Sequence, residues 1–418
     1  MEQLAEIIEL FKANPLGAGT IAAIVSAIIG TGIFSFGRRT KTVSQGDASY
    51  LTDKTLMAAP IRRPAYSDRM AYVLAEMSAL AYYEFEGRGG AVRDAAKTML
   101  RVAMEDSSKA EAWLEEFASE LLLEGMDSQE FFERILTEAG FRLLGTINIK
   151  ETQAFVCKHE KEGEEYVAVA FRGTEQKISD WLTDARAVPY EDTDKKTGKT
   201  TKVHTGFREA LFVNTEDGKT VFDRVMEIVD SADAKDSNGK PLPIFITGHS
   251  LGGALALLTA FHLPQKLDGA CYTYGAPRVG NYEYFRDLKI PVFRVVNSVD
   301  IVPRVPPGAF MIVLLKLIQA LSWVTKWVPV VSQLLDKLES FLDKLNGYRH
   351  VGDLRYLTDV KAGRFDDVEL LQNPPATDRM MWAWQHLRAV FSSTVTSHGM
   401  AIYRRKLVEV ATRRNKTI

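Results

Sequence analysis

Apolar and polar positions fall into distinct rhythms along the chain. The first is unbroken: Leu16 to Gly37 is a run of 22 residues without a charge. As a helix rising ~1.5 Å per residue it would span about 33 Å, against about 30 Å of bilayer hydrocarbon, so residues 16–37 predict one membrane span. Asn14 and Pro15 supply a helix start, and Arg38, Arg39 and Lys41 close the far end. A buried core helix is the competing reading. Residues 1–15 predict an amphipathic helix, with Leu4, Ile7, Ile8 and Phe11 on one face and Glu2, Glu6 and Glu9 elsewhere.

Residues 38–69 are polar and proline-containing, as a linker would be. A helical period takes over in 70–140, where "AWLEEFASELLLEGM" is strongly amphipathic. After Gly140 the pattern changes. "FRLLGTINI", "TQAFVCKHE" and "EYVAVAFRG" predict strands, with "KEGEE" as the turn between the last two. Further on, "PIFIT", "ACYTYG" and "PVFRVVNSV" are short apolar runs, the first two separated by the helix pattern "LGGALALLTAFHL". Strand, helix and strand in succession predict an α/β fold over 141–418, a mostly parallel sheet covered by helices.

Composition narrows the class. An apolar fraction of 46%, a charged fraction of 25% and a net charge of −2 are those of a globular protein and do not suggest a nucleic-acid binder. Cys157 and Cys271 are the sole cysteines, which excludes a disulfide scaffold and a CxxC metal motif. A signal peptide fits poorly, because the leading region is acidic and no small-residue cleavage site follows the apolar run. The basic flank after Gly37 instead predicts a single-pass membrane protein with its large domain in the cytoplasm. Gly19, Ala23, Ala27, Thr31 and Ser35 recur every fourth residue, which would allow self-association through that helix; small residues are also simply common in membrane helices.

The chemistry centres on Gly248-His249-Ser250-Leu251-Gly252. Gly-x-Ser-x-Gly alone is a cheap match; here it lies between a buried-strand pattern and a helix pattern, where a sharp turn can hold Ser250 strained and exposed. The Leu251 N–H and the helix N-terminus then face a developing oxyanion. A serine hydroxyl needs a histidine base and an acid, which follow the serine in the order acid, histidine in an α/β-hydrolase arrangement. Asp300 ends "PVFRVVNSVD" before the proline-stopped loop "IVPRVPP", the expected place for the acid. His159 and His204 precede the serine, His249 lies inside the turn and His262 on the helix after it. Of the rest, His386 sits mid-helix and His350 in a strand-like segment, which leaves His398, in a turn before the terminal helix, as the base. The second oxyanion donor is expected at Thr174, after the strand "VAVAF" and Gly173.

The combination resembles the class 3 lipase family. The matching pieces are "AFRGTE" with "DWLTD", "VHTGFREAL", "GHSLGGALA", "TYGAPRVGN", "VVNSVDIVPRVPP", "YRHVG" and "HGMAIY", in the family's order across about residues 140 to 410. The resemblance implies an α/β-hydrolase fold and hydrolysis of acyl lipid esters without a metal or organic cofactor. It also implies a triad of Ser250, Asp300 and His398 with oxyanion donors from Thr174 and Leu251. One departure is a helical insertion, 308–345, with Phe310, Val313, Leu314, Leu317, Leu321 and Val324 on one apolar face and Trp323, Lys326 and Trp327 of interfacial type. A membrane-docking flap and a packed helical hairpin are equal readings of it. The family's usual lid position holds the polar "YEDTDKKTGKTTK", where no lid is expected.

These readings predict a membrane-anchored serine lipase whose partners are membrane lipids, either an A-type phospholipase or a diacylglycerol lipase. An acyltransferase using the same acyl-enzyme, or a non-catalytic membrane scaffold on a hydrolase fold, are the alternatives.

Overall fold

A computed structural model describes residues 50–83, 128–173, 189–305, 347–379 and 398–415, less short gaps at 58, 62–64, 151, 196, 265–266, 299, 301, 361–364 and 376. Residues 1–49, which hold the amphipathic helix and the expected membrane span, lie outside the described residues, as does the insertion 308–345. No described helix is long and apolar enough to cross a membrane.

Ten strands are named in chain order: β1 (Phe141–Ile149), β2 (Thr152–His159), β3 (Tyr166–Phe171), β4 (Pro189–Thr193), β5 (Thr200–His204), β6 (Ile244–His249), β7 (Gly269–Tyr274), β8 (Val292–Asn297), β9 (Asp353–Leu357) and β10 (Leu370–Gln372). Eight of them form one sheet, ordered β1-β2-β3-β6-β7-β8-β9-β10. The pairs β3/β6, β6/β7, β7/β8 and β8/β9 are parallel, and both edges are finished by antiparallel strands. The expected α/β class, with a mostly parallel sheet, is therefore present.

The central strands are buried along their whole length, β3 and β6 at every position, because helices cover both faces. One face carries α1 (Asp68–Leu80), α2 (Ser128–Glu138) and α6 (Met400–Asn415); Phe245, Tyr272, Tyr274 and Val295 point into that layer. The other carries α3 (Thr205–Phe212), α4 (Val221–Val229) and α5 (Leu251–His262), against Ile244, Ile246 and Cys271. Side chains alternate between the two cores because successive Cβ atoms of a strand point to opposite faces. Helix starts follow local chemistry: Ser67 Oγ accepts from Met70 N–H at 3.2 Å to cap α1, and Thr220 with Asp223 forms a capping box on α4.

Two segments differ from expectation. From Tyr50 onward the stretch 38–69, expected as a linker, enters the core: Leu51, Leu56, Met57 and Ala59 are buried, and Leu51 N–H donates to buried Glu76 on α1 at 3.1 Å. Glu76 is in turn forked by Arg404 of α6, at 2.8 Å for both nitrogens, so this segment locks α1 to α6. The second is "YEDTDKKTGKTTK", which forms the hairpin β4–β5 outside the main sheet, with β4 exposed along most of its length.

Candidate active site

β6 ends at His249 and α5 begins at Leu251, so Ser250 alone makes the turn between them. Its backbone sits at φ 57°, ψ −126°. A residue with a Cβ reaches that region only under strain, at a cost of about 1–3 kcal/mol. The strain persists because the glycines on either side are pressed backbone to backbone. A Cβ on Gly248 would strike the Gly252 carbonyl and come within 2.7 Å of Gly253 N; one on Gly252 would strike Phe171 O at the end of β3. Serine at a helix N-cap ordinarily bonds back to the helix; here it makes no such bond, so its hydroxyl is not consumed by capping. Leu251, the first residue of α5, places its N–H among the amides a helix leaves without an internal partner.

Asp300, three residues beyond β8, is fully buried, and its two oxygens are engaged by three donors. Val302 N–H donates to Oδ1 at 2.9 Å, while Oδ2 accepts from Tyr403 O–H at 2.6 Å and from His398 Nδ1–H at 2.9 Å. Because Nδ1 carries the proton toward the carboxylate, Nε2 of His398 is left as the basic nitrogen. Nε2 is buried with no hydrogen-bond partner, so it does not bond Ser250 in this arrangement. Catalytic hydrogen bonds often tighten only when substrate arrives. Gly275, at φ +57°, floors this pair: a Cβ there would approach Asp300 Oδ2 at 2.6 Å and the His398 ring at 3.1 Å.

His249, set aside in the sequence reading, fastens the base to the turn. Its Nε2 lies 2.6 Å from the His398 carbonyl oxygen, which can only accept, so Nε2 carries the proton. Nδ1 must then accept, from Tyr82 O–H at 2.8 Å. Burial first, and the neighbouring His398 second, hold the His249 pKa well below its ordinary value, so the ring stays neutral and keeps this pattern. The two histidine rings stand 4.4 Å apart. Tyr82, Tyr403 and His249 were missed as site residues: Tyr403 stands inside the motif "HGMAIY", and His249 inside the serine motif itself, but Tyr82 carries no local signal.

Of the expected residues, the structure brings His398 and Asp300 into direct contact and sets Ser250 and Leu251 at the strand–helix turn one residue from His249. Thr174 lies outside the described residues. Its predecessor Gly173 lies beside the turn, where a Cβ would come within 2.8 Å of His249 O. His386 also lies outside, and His350 sits before β9, donating Nε2–H to Pro303 O at 2.5 Å.

Behind Asp300, Tyr403 O–H also accepts from Asn297 N–H at 3.0 Å, and Lys406 Nζ donates to Asn297 Oδ1 at 2.7 Å and Thr358 O at 2.6 Å. Burial next to Asp300 pushes the Tyr403 phenol well above its usual range, so it stays a donor. Tyr403→Phe should therefore lower kcat on the order of tenfold and cost about 2 kcal/mol of stability, measured by steady-state kinetics and urea unfolding.

Lys406, 1% exposed, has its pKa lowered by burial to about 8, from 10.5 in the unfolded chain. The unfolded state thus binds one more proton between those values, so wild-type stability should rise with pH through about 8 to 10.5; below that window the charge is a constant cost. Lys406→Met should remove this increment, about 3 kcal/mol across the window. Urea unfolding of both chains at pH 7 and pH 10 gives the difference, and equal pH dependence would refute it.

A strained serine between a parallel strand and a helix, with a histidine–carboxylate pair packed against the same turn, defines an α/β-hydrolase arrangement. Residues 168–310 match the family model for lipase (class 3), so the resemblance carried by the motifs holds over that segment. A lipase from Rhizomucor miehei is 35% identical over 171 residues, 39% of this chain and 43% of that protein. The chloroplastic phospholipase A1-Igamma2 of Arabidopsis thaliana is 28% identical over 236 residues, 46% of this chain and 44% of that protein. The chain therefore spans less than half the length of these relatives. Among solved structures, a lipase from Rhizopus microsporus var. chinensis aligns at 25% identity over 58% of this chain and 68% of that one, with a TM-score of 0.36.

Proposed function

We propose that this protein is a membrane-anchored serine hydrolase that cleaves carboxylic esters of acyl glycerolipids, as an A-type phospholipase or a diacylglycerol lipase. The observation that carries the reading is the Ser250 backbone at φ 57°, a strained conformation whose hydroxyl is not used to cap the helix that follows. His398 takes the Ser250 proton at Nε2 as the oxygen attacks the ester carbonyl. Asp300 holds the ring by Nδ1 and stabilises the imidazolium. The Leu251 and Thr174 N–H groups receive the tetrahedral oxyanion, the alcohol leaves with the proton from His398, and water resolves the acyl-enzyme by the same route. Residues 16–37 anchor the chain, with the hydrolase domain on the cytoplasmic side, so the ester sits in the bilayer at high effective concentration. The chain is similar both to phospholipases A1 of Arabidopsis thaliana and to a secreted mono- and diacylglycerol lipase of Malassezia globosa, which leaves the head group open, and a panel decides it.

The test is labelling by a serine-directed fluorophosphonate, followed by hydrolysis of a glycerolipid panel. Ser250 in the folded chain should label, and the label should vanish in Ser250→Ala. A folded chain that fails to label would sink the hydrolase reading. Protection of the large domain from protease in sealed vesicles tests the topology.

A further inference from the structure

Tyr82, in the turn after α1, puts its hydroxyl where two strand ends part. β3 and β6 pair in parallel up to Phe171 beside Gly248. Past that pair β3 continues through Gly173 toward the expected oxyanion donor Thr174, while β6 runs through His249 into the Ser250 turn. The phenol oxygen lies in the seam between them: it donates to His249 Nδ1 at 2.8 Å, and a Cβ on Gly173 would collide with it. Glycine at 173 therefore leaves the room that the hydroxyl fills. The ring has separate supports, with the Arg172 guanidinium 5.9 Å and the His249 ring 5.8 Å from its centroid. A phenylalanine would keep those contacts and lose the hydrogen bond.

That bond matters because the far side of the imidazole holds the base. His249 Nε2–H donates to the His398 carbonyl at 2.6 Å, while Asp300 Oδ2 takes the His398 ring proton at 2.9 Å. Asp300 sets the direction of the His398 ring; His249 sets the position of its backbone. An imidazole bonded through one nitrogen swings about that bond. Bonded through both nitrogens, on different edges of the ring, it is a spacer of fixed length. Tyr82 supplies the second bond, so the spacer runs from the end of α1, past the residue before Ser250, to the backbone of the base. His398 Nε2 makes no hydrogen bond in this arrangement, so a gap to Ser250 has to close when substrate binds, along a path that this spacer limits.

We infer that Tyr82 is a positioning residue for acyl transfer, acting through His249 on the His398 backbone and hence on the approach of His398 Nε2 to Ser250. The inference rests on the hydrolase reading and adds to it a residue outside the segment that the lipase family model matches. A base displaced by about 1 Å can cost on the order of 100-fold in turnover. With Asp300 still holding the ring, loss of the Tyr82 bond should cost roughly tenfold. A tyrosine that served packing alone would change the unfolding temperature and leave the kcat of the folded protein as it is.

The experiment uses the full chain, p-nitrophenyl butyrate as a soluble ester and fluorophosphonate labelling of Ser250, at a temperature well below the lowest Tm. Tyr82→Phe should lower kcat and the labelling rate each by roughly tenfold, with KM within about twofold of wild type. His249→Gln keeps an N–H for the His398 carbonyl but has no counterpart of Nδ1, so adding Tyr82→Phe to it should change either rate by less than about twofold. Gly173→Ala reaches the hydroxyl from the other side and should lower both rates at least as far as Tyr82→Phe, which keeps the test open if Tyr82→Phe does not fold. Tyr83→Phe deletes a phenol oxygen from the same turn, where the ring stacks on Phe132, and should leave both rates unchanged. Three results would each overturn the inference with the hydrolase reading intact: wild-type rates in Tyr82→Phe or Gly173→Ala, a loss carried by KM at constant kcat, or losses of Tyr82→Phe and His249→Gln that multiply. A folded wild type that neither labels nor hydrolyses the ester would overturn both.

Discussion

Replacing Ser250 by glycine should abolish ester hydrolysis and make the protein more stable. The two effects share one cause, the backbone at φ 57°. Glycine occupies that region without the Cβ clash, so the strain of about 1–3 kcal/mol is relieved. Against this stands the extra freedom glycine gives the unfolded chain, about 0.5–1 kcal/mol. A net gain on the order of 1 kcal/mol remains, a rise of a few degrees in Tm. Ser250→Ala separates the terms: it removes the hydroxyl but keeps the Cβ, so turnover should fall by roughly 10⁴-fold or more, with Tm little changed. Turnover on a short-chain glycerolipid and thermal unfolding of the three chains make the comparison. A glycine variant less stable than the alanine variant would show that the backbone strain at position 250 is smaller than the freedom glycine adds to the unfolded chain.

The strained turn was legible because its chemistry is local. Gly248 and Gly252 announce a place where backbones touch, and the apolar runs before and after announce strand and helix. β3 and β6 were legible for the same reason, since a strand buried on both faces needs an unbroken run of apolar residues, as "YVAVAF" supplies. The hairpin β4–β5 offers no such signal: it is held by backbone pairing outside the core, and its residues are polar. The segment from Tyr50 to Ala59 was read as a linker because its buried side chains, Leu51, Leu56 and Met57, are spaced irregularly among polar ones. Irregular burial leaves no period to detect.

The supporting residues of the site were hidden by distance along the chain. Tyr82, in the turn after α1, reaches His249 across 167 residues, and Tyr403, on α6 of the same layer, reaches Asp300 across 103. No motif marks Tyr82, and the motif around Tyr403 does not point to Asp300; what places them is the packing of α1 on α6, fixed by Glu76 and Arg404.

Asp300→Asn should lower kcat/KM by roughly 10⁴-fold while leaving the fold intact, and the hydrogen bonds around Asp300 say why. An asparagine must place one oxygen and one NH₂ where the aspartate has two oxygens. Val302 N–H is a fixed donor at 2.9 Å, so the amide oxygen must take the Oδ1 position. The NH₂ then occupies the Oδ2 position and faces His398 Nδ1. To avoid two opposed donors, His398 must accept at Nδ1 and carry its proton on Nε2. That tautomer cannot take the proton from Ser250. Tyr403, already accepting from Asn297 N–H at 3.0 Å, has to turn its own proton away from the new NH₂, a rearrangement that costs about 1–3 kcal/mol. Lengthening the side chain is no remedy, since Gly275 leaves no room beneath the pair. Steady-state kinetics with urea unfolding tests the account: a loss under tenfold would mean that Asp300 does not set the tautomer of His398.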